Sequence, residues 1–294
     1  MEKNSKLIIK KKKRKYPTKY LTFTSNIDED YSKYDNKIVN VNYYIGTSGF
    51  MTSKKKWTDL NTMNCIEINA TFYRLPTKQT ISNWEKEGEY KYSYVIKASR
   101  YITHIKRLKQ INDEWKRFWD TIKPLTKRLN AILFQMPPTF KFNYENLQRI
   151  FDLYKYINVP CYIVFEFRNI GWFRKEVYTM FLKFRWCMCS TFIKKKKDSK
   201  WMGSMPNGIL IPPKTCDINY IRIHGKKGYQ SIAGKYYLKK IKYLLEKQNP
   251  TSTFVMFNNT FFEKKNKRKI KEKNIDYAAI YDASQFSSMV NNKN

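Results

Sequence analysis

The sequence predicts an α/β protein, a (β/α)8 TIM-type barrel in a single domain with a basic N-terminal extension. Two observations lead to this fold: short apolar segments of strand length recur from Tyr43 onward, and segments with helical spacing lie between most of them. Strands that alternate with helices over about 240 residues are typical of parallel strands with crossover helices, and eight strands close a barrel. A doubly wound open sheet is the alternative fold.

Eight segments have the length and apolar content of buried strands. In chain order they are residues 43–48, 65–69, 94–98, 131–136, 161–167, 186–191, 220–224 and 253–258. Between them, apolar residues spaced three or four positions apart predict helices, because that spacing places them on one helix face. Such segments include residues 111–122, 147–154 and 238–245.

The rest of the chain predicts the domain boundaries. Residues 1–41 are polar and basic without sustained periodicity, so we predict a flexible N-terminal extension there. The barrel is predicted over residues 42–284, and residues 285–294 are predicted to form a C-terminal tail. No helical period follows the sixth strand, and residues 192–218 are therefore predicted to form a long loop that is disordered or acts as a lid.

The composition excludes several classes of protein. Because 42% of the residues are hydrophobic and 17% are aromatic, the chain can bury a core and is not disordered throughout. No apolar run approaches the roughly 18 residues of a transmembrane helix, and the N-terminus lacks a secretory signal, so we expect no membrane partner. Five scattered cysteines indicate a reducing compartment. We expect a cytoplasmic protein, or a nuclear one if the run KKKKRK from Lys10 to Lys15 is an import signal.

The charge balance has two interpretations. The chain carries 58 Lys and Arg residues against 24 Asp and Glu, a net charge of +34. This excess is the electrostatic footprint of a nucleic acid or another polyanion, or it is a uniformly Lys-rich surface that reflects compositional bias. The basic runs 10–15, 194–197 and 264–273 are far apart in the sequence, so both interpretations stay open.

Polar side chains interrupt the apolar strands near their carboxyl ends, where the catalytic residues of a barrel lie. Alternation along a strand places every second residue on one face. The pairs that share a face are Glu67 with Asn69, Glu166 with Arg168, and Arg222 with His224, while Lys97 and Gln135 end the third and fourth strands. Charges inside apolar strands are unfavourable unless they are paired or used, so this set predicts a ligand or active site, with internal salt bridges as the alternative.

The acidic residues and the histidines suggest acid–base chemistry. Glu67 or Glu166 would act as base or acid, and His104 or His224 would be the proton partner, since only histidine titrates near neutral pH without a perturbed pKa. The alternative for each histidine is a buried side chain whose hydrogen bonds are satisfied within a loop.

The basic residues suggest an anionic ligand. Lys97, Arg168 and Arg222 would hold anionic oxygens, and Trp172, in the loop after the fifth strand, would stack on a base or a sugar. We therefore expect Glu166→Gln and Arg222→Ala to abolish ligand binding or turnover while leaving the fold intact.

No motif in the sequence requires a metal ion or a cofactor. Glu67, Glu166 and His224 offer oxygen and nitrogen ligands to a divalent metal, but no ligand spacing supports such a site and the nearby cations would repel a metal ion. Cys187 and Cys189 share a strand face with one residue between them, unlike the two-residue gap of zinc and redox motifs, so we predict buried core cysteines.

Seven segments of the chain together resemble the YecE-like family, the domain of unknown function number 72. They are residues 45–50 (IGTSGF), 67–76 (EINATFYRLP), 102–108 (ITHIKRL), 135–138 (QMPP), 166–168 (EFR), 220–225 (YIRIHG) and 257–259 (FNN). The resemblance covers roughly residues 43–260 and implies a (β/α)8 barrel. It adds Thr71, Tyr73, Arg74 and Asn258 to the expected substrate-binding residues. It implies no reaction, because the family has no assigned function.

Two positions depart from the family pattern. Asn169 follows Glu-Phe-Arg where the family typically has His, and the sixth strand ends in Cys189, Ser190 and Thr191 where the family tends to carry an acidic residue. If those family residues transfer protons, this chain is altered in activity or only binds its ligand.

The sequence therefore favours an enzyme, compatible with a hydrolase or a lyase, that acts on a phosphorylated or nucleic-acid-derived substrate at the carboxyl ends of the strands. The alternative is a non-catalytic DNA- or RNA-binding protein that uses its Lys-rich surface and N-terminal extension. A barrel retained only as a scaffold is a third interpretation.

Overall fold

The computed structural model describes residues 41–51, 57–58, 60–86, 92–194, 203–226, 231–259 and 277–291. The run from Lys10 to Lys15, most of the predicted extension 1–41 and the run 264–273 lie outside these residues. The strands are β1 (Asn42–Ser48), β2 (Cys65–Ile68), β3 (Ser93–Lys97), β4 (Leu129–Gln135), β5 (Tyr162–Glu166), β6 (Cys187–Met188), β7 (Ser190–Lys194), β8 (Gly208–Leu210), β9 (Ile218–Lys226) and β10 (Ser252–Phe257).

Seven α-helices occur in the same ranges, most of them between strands. They are α1 (Ala70–Tyr73), α2 (Lys78–Lys86), α3 (Asn112–Ile122), α4 (Tyr144–Tyr154), α5 (Lys175–Phe184), α6 (Lys235–Glu246) and α7 (Ala278–Asn291). A π-helical turn, Tyr101–Ile105, follows β3, and 3₁₀ turns occupy Lys123–Arg128 and Ile170–Trp172. No helix of the described ranges is long and apolar enough to cross a membrane.

The prediction of a closed eight-stranded barrel is wrong. Backbone hydrogen bonds join ten strands in the order β6-β5-β4-β3-β2-β1-β10-β9-β7-β8, and within the described residues no ladder connects the two ends. The predicted sixth strand is split: β6 pairs with β5, whereas β7 pairs with β9 and β8. Since Cys189 alone separates β6 from β7, the sheet curls back on itself. The fold is a curled, mostly parallel α/β sheet.

Two other boundaries differ from the sequence prediction. Within residues 192–218, predicted as one long loop, β8 pairs antiparallel with β7, so part of this segment extends the sheet edge. The tail predicted from residue 285 is not separate either, because α7 continues to Asn291 and Phe286 is buried against the core.

The predicted helical segments are confirmed, and their apolar faces pack on the sheet. In α3, Trp115, Phe118 and Ile122 are buried at the spacing that the sequence predicted. The start of α4 is capped by Asn143, whose side chain accepts a hydrogen bond from the Asn146 backbone N–H at 2.7 Å.

The two faces of the sheet form separate apolar clusters. One cluster lies between the sheet and the helices; the other consists almost entirely of strand residues and fills the inner face of the curl. Cys65, Val95 and Val164 belong to the inner cluster, and two residues further along the same strands come Glu67, Lys97 and Glu166. The inner face therefore changes from apolar to charged toward the carboxyl ends of the strands. Cys187 and Cys189 are buried in the inner cluster, as predicted.

A buried carboxylate fixes the last helix to the loops that follow β9 and β10. Asp282 of α7 accepts hydrogen bonds from the Ala233 and Gly234 backbone N–H groups at 2.6 and 3.4 Å and from Asn259 Nδ2 at 2.6 Å. Because Gly234 precedes the first residue of α6, this carboxylate holds the start of α6 and the end of β10 together.

We predict that Asp282→Ala lowers the free energy of unfolding by about 2–4 kcal/mol, since buried N–H donors lose their acceptor. Urea unfolding followed by circular dichroism measures this change. The control is Asp120→Ala, which removes an exposed carboxylate paired with Lys116 and Lys123 and should lower the free energy of unfolding far less. Equal losses in the two variants would contradict the role of Asp282.

Candidate functional site

Arg222 of β9 bridges two carboxylates that come from other parts of the sheet. Its Nη1 donates to Glu166 Oε2 of β5 at 2.5 Å, and its Nη2 donates to Glu67 Oε1 of β2 at 2.7 Å. All three side chains are at most 1% exposed. The curl of the sheet makes this contact, because β2, β5 and β9 are not neighbours in the hydrogen-bonded order.

Two further residues complete the pairing of Glu67, and the sequence analysis missed both. The Tyr220 hydroxyl donates to Glu67 Oε2 at 2.7 Å, and Ser48 Oγ lies 3.4 Å from Arg222 Nη2. The strand period was a signal that could have found Tyr220, because it lies two residues before Arg222 on the same face of β9. For Ser48 the signal was its position as the last residue of β1, the same position that Lys97 has in β3.

Both carboxylates are held in the ionised form. Burial alone would raise the pKa of Glu67, but the charge of Arg222 and the hydrogen bonds from Tyr220 and Ser48 outweigh it and lower that pKa. Burial likewise opposes ionisation of Glu166, and Arg222 and Arg168 hold its pKa well below the usual range. Neither glutamate is therefore set up to donate a proton near neutral pH.

Arg168, His224 and Asn258 extend this network. Arg168 Nε donates to Glu166 Oε1 at 3.0 Å. His224 Nε2 faces the same oxygen at 3.7 Å, and Nδ1 of the ring lies 3.3 Å from the Asn258 amide nitrogen. Burial lowers the pKa of His224 to about 4, although Glu166 opposes this shift, so the ring is neutral at neutral pH. With Asn258 donating to Nδ1, the ring proton lies on Nε2, toward Glu166.

Lys97 lies beside the network without joining it. Its side chain is 9% exposed, and Nζ is 4.1 Å from the centroid of the Phe72 ring. Burial and then the positive charges of Arg222 and Arg168 lower the pKa of Lys97 from 10.5 to about 7, while Glu166 and Glu67 oppose the shift. The amine is therefore partly neutral at neutral pH.

His104 packs against the same aromatic ring. Its imidazole meets the Phe72 ring edge to face at 4.9 Å, and its Nδ1 is 2.9 Å from Thr103 Oγ1. Burial, followed by the positive charges of Lys97, Arg168 and Arg100, lowers its pKa to about 4. A neutral His104 thus lies in a field dominated by cations.

Two of the three other residues of the predicted site use their side chains in structural contacts. Thr71 Oγ1 donates to the Lys97 backbone oxygen at 2.7 Å, which ties α1 to the end of β3. Gln135 is buried, pairs in register with Glu166 and donates to the Met136 backbone oxygen at 2.8 Å. Asn69 has helical backbone angles, φ −91° and ψ −16°, so strand alternation does not extend to its side chain. Its buried Oδ1 has no hydrogen-bond partner in the described part of the chain.

The remaining predicted residues lie at opposite extremes of burial. Tyr73 is 78% exposed and Arg74 is also exposed, both at the end of α1. Trp172 is fully buried: it stacks on Phe167 with ring centroids 4.4 Å apart, and its Nε1 donates to the Phe140 backbone oxygen at 2.7 Å. Trp172 offers no exposed face for a base or a sugar and is a core residue.

The two departures from the family pattern also occupy structural positions. Asn169 Oδ1 accepts a hydrogen bond from the Gly171 backbone N–H at 3.1 Å and caps the short turn after β5. Cys189, Ser190 and Thr191 are buried at the break between β6 and β7.

Two of the three residues considered for a metal site, the glutamates, are paired with a cation instead. Glu67 and Glu166 each accept a hydrogen bond from Arg222 at one carboxylate oxygen. Across the described residues, no three His, Cys, Asp or Glu side chains are grouped so that they could hold a metal ion. What the arrangement offers is a fixed pair of carboxylates next to an amine of low pKa.

We predict that Arg222→Ala destabilises the protein by about 3–5 kcal/mol, in place of the intact fold expected from the sequence, because it leaves two buried carboxylates without their cation. Urea unfolding at neutral pH measures the loss. Arg185→Ala is the matched control, since Arg185 pairs with Asp217 at the surface and should contribute less than about 1 kcal/mol. A loss in Arg222→Ala no larger than that of the control would contradict the bridging role.

Comparisons with known proteins agree with the resemblance seen in the sequence. UPF0759 protein YunF of Bacillus subtilis is 24% identical over 219 residues, 66% of this chain and 76% of that protein. UPF0759 protein YecE of Escherichia coli is 29% identical over 77 residues, 26% of this chain and 28% of that protein.

Two solved structures share the fold. A DUF72 family protein from Thermotoga maritima superposes with a TM-score of 0.67 at 22% identity, over 85% of this chain and 99% of that one. One from Enterococcus faecalis gives 0.68 at 16% identity, over 86% and 99%. The family model described as "Protein of unknown function DUF72" matches residues 60–273, which include Glu67, Lys97, Glu166 and Arg222. The chain therefore belongs to the DUF72 family.

Proposed function

We propose that this protein is an enzyme that performs acid–base chemistry on an anionic substrate, phosphorylated or derived from nucleic acid, at the carboxyl ends of its strands. The observation that carries the proposal is Lys97, a buried amine whose pKa is lowered to about 7 beside two ionised glutamates. Groups perturbed in this way by burial and specific charges are concentrated in active sites.

The roles differ from those expected from the sequence. Glu67 and Glu166 are held as carboxylates by Arg222, so their part is to fix the local field. Lys97 is the group whose two protonation states are balanced near neutral pH, which suits it to accept a proton and return it. His104 and His224, with pKa values lowered to about 4, act as neutral hydrogen-bonding groups.

The field around His104 supports an anionic substrate. Lys97, Arg168 and Arg100 are all close enough to lower its pKa, and Glu166 is the carboxylate that opposes them. Arg100 is exposed at the start of the turn that carries His104. Arg222 bonds to both glutamates through its two terminal nitrogens, whereas Arg168 bonds to Glu166 through Nε, so we assign anion binding to Arg168 and Arg100, which act on His104 together with Lys97.

We predict that Lys97 of the folded protein titrates with a midpoint near pH 7, and that inorganic phosphate moves the midpoint upward because a bound anion favours the ammonium form. Competitive acetylation with acetic anhydride across a pH series, read by peptide mass spectrometry, gives the midpoint for each lysine.

Lys116 is the internal control, since it is exposed and Asp120 raises its pKa. Guanidinium-unfolded protein is the second control, in which Lys97 should return to the ordinary range near 10.4. A folded-state midpoint for Lys97 in that ordinary range would remove the proposal. A midpoint near pH 7 that phosphate leaves unchanged would contradict the part of the proposal that makes the substrate anionic.

A second candidate function is nucleic-acid binding by the basic surface, and the observation that favours it is the net charge of +34. Within the described residues, exposed Arg74, Arg100, Arg107 and Lys109 lie on the loops after β2 and β3. This function needs no chemistry at Lys97, so the two proposals are separable.

We predict that the full chain then binds a single-stranded oligonucleotide with an affinity that falls steeply as salt rises, by about 0.7 in the log–log slope for each phosphate contact. Fluorescence anisotropy between 50 and 200 mM salt measures the slope. Replacing the six basic residues from Lys10 to Lys15 by Ser should flatten it, whereas Lys97→Met should leave it unchanged. No binding at about 0.1 M salt would exclude this function.

A further inference from the structure

The surroundings of the Lys97 amine suit a nucleophile as well as a base. Among the described residues, Nζ has no hydrogen-bond acceptor and no carboxylate oxygen within 4.0 Å, and it lies over the Phe72 ring. A lysine used for stability would be expected to form an ion pair, because burying an unpaired ammonium is unfavourable. Here the nearest carboxylates, Glu67 and Glu166, are already bonded to Arg222.

Nucleophilic lysines in enzymes are made neutral by the same two means found here. They lie in a desolvated pocket or beside other cations, and a neutral amine has the lone pair that attacks a carbonyl carbon. The charged groups that face Lys97 are Arg222 of β9, Arg168 after β5, and the carboxylates Glu166 and Glu67. His104, across the Phe72 ring, is neutral and adds no charge.

We propose that Lys97 forms a covalent imine with the carbonyl carbon of an aldehyde or ketone that carries an anionic group. This inference rests on the proposed function and names its substrate class. It makes Lys97 a catalytic residue that reacts with the substrate and does more than move its protons.

The reaction balances without an oxidant or a reductant. The Nζ lone pair forms a bond to the carbonyl carbon while the carbonyl π electrons move to oxygen, and one proton passes from nitrogen to that oxygen to give a carbinolamine. A second proton, taken from solvent, protonates the hydroxyl, which leaves as water while the nitrogen lone pair forms the C=N bond, so the product is the iminium cation. The iminium is a cation, and Glu166 and Glu67, which favour a positive charge at Lys97, stabilise it in the same way.

The surroundings of Lys97 fit an anionic carbonyl compound. The anionic group would lie near Arg168 and Arg100, the cations that face His104.

The test is reductive trapping on the full chain at pH 7. The probes are pyridoxal 5′-phosphate, an aldehyde with a phosphate, and glyoxylate, a small aldehyde with a carboxylate, each below one equivalent and reduced with cyanoborohydride. Peptide mass spectrometry locates the label. We expect the occupancy of Lys97 to exceed that of Lys116 by about tenfold or more, because Lys116 is exposed and its pKa is raised. Inorganic phosphate should reduce labelling of Lys97 by pyridoxal 5′-phosphate.

The control variant is Lys97→Arg, which keeps a positive charge but cannot form an imine. It should lose the preferential label while keeping the low background on surface lysines. If neither probe labels Lys97 above Lys116, the imine proposal is overturned. The acetylation series distinguishes this from failure of the proposed function: a midpoint near pH 7 without trapping leaves acid–base chemistry standing, and an ordinary midpoint removes both.

Discussion

Arg222 lies between Glu67 and Glu166, and the rest of the site depends on this contact. An ion pair shielded from water is stable only when every charge keeps its partner, so the three side chains fix the carboxyl ends of β2, β5 and β9 relative to one another. Because Arg222 satisfies both glutamates, it leaves Lys97 without a carboxylate of its own and adds a positive charge nearby. Together with burial, this arrangement of charges lowers the pKa of the Lys97 amine.

The inner face of the sheet changes from apolar to charged side chains along β2, β3 and β5. Toward the amino ends it is apolar, with Cys65 and Val95 in a closed cluster, and two residues later it carries Glu67 and Lys97. Replacing an apolar side chain by a buried unpaired amine does not stabilise a fold. The aromatic and aliphatic packing between sheet and helices stabilises the fold around this group of charges.

The comparisons establish the family and the fold, whereas the proposed acid–base chemistry is inferred from the side chains around Lys97. The solved structures share the architecture at 22% and 16% identity, and their descriptions state no activity. The proposed function therefore rests on the position of Lys97 over Phe72, with His104 on the same ring. The departures at Asn169 and Cys189 leave this group of side chains complete, since both residues have structural contacts elsewhere.

The sequence by itself determined most strands, the helix faces and the side of each strand that bears Glu67, Glu166 and Arg222, because these follow from local periods of 2 and 3.6 residues. It did not determine that the sheet stays open between β6 and β8, since the break at Cys189 and the β7–β8 pairing depend on hydrogen bonds between distant segments. Only the tertiary structure decided which cation pairs with which carboxylate. That pairing depends on distances of a few ångströms across the curl: Arg222 bonds to both glutamates, and Lys97 has no carboxylate partner among the described residues.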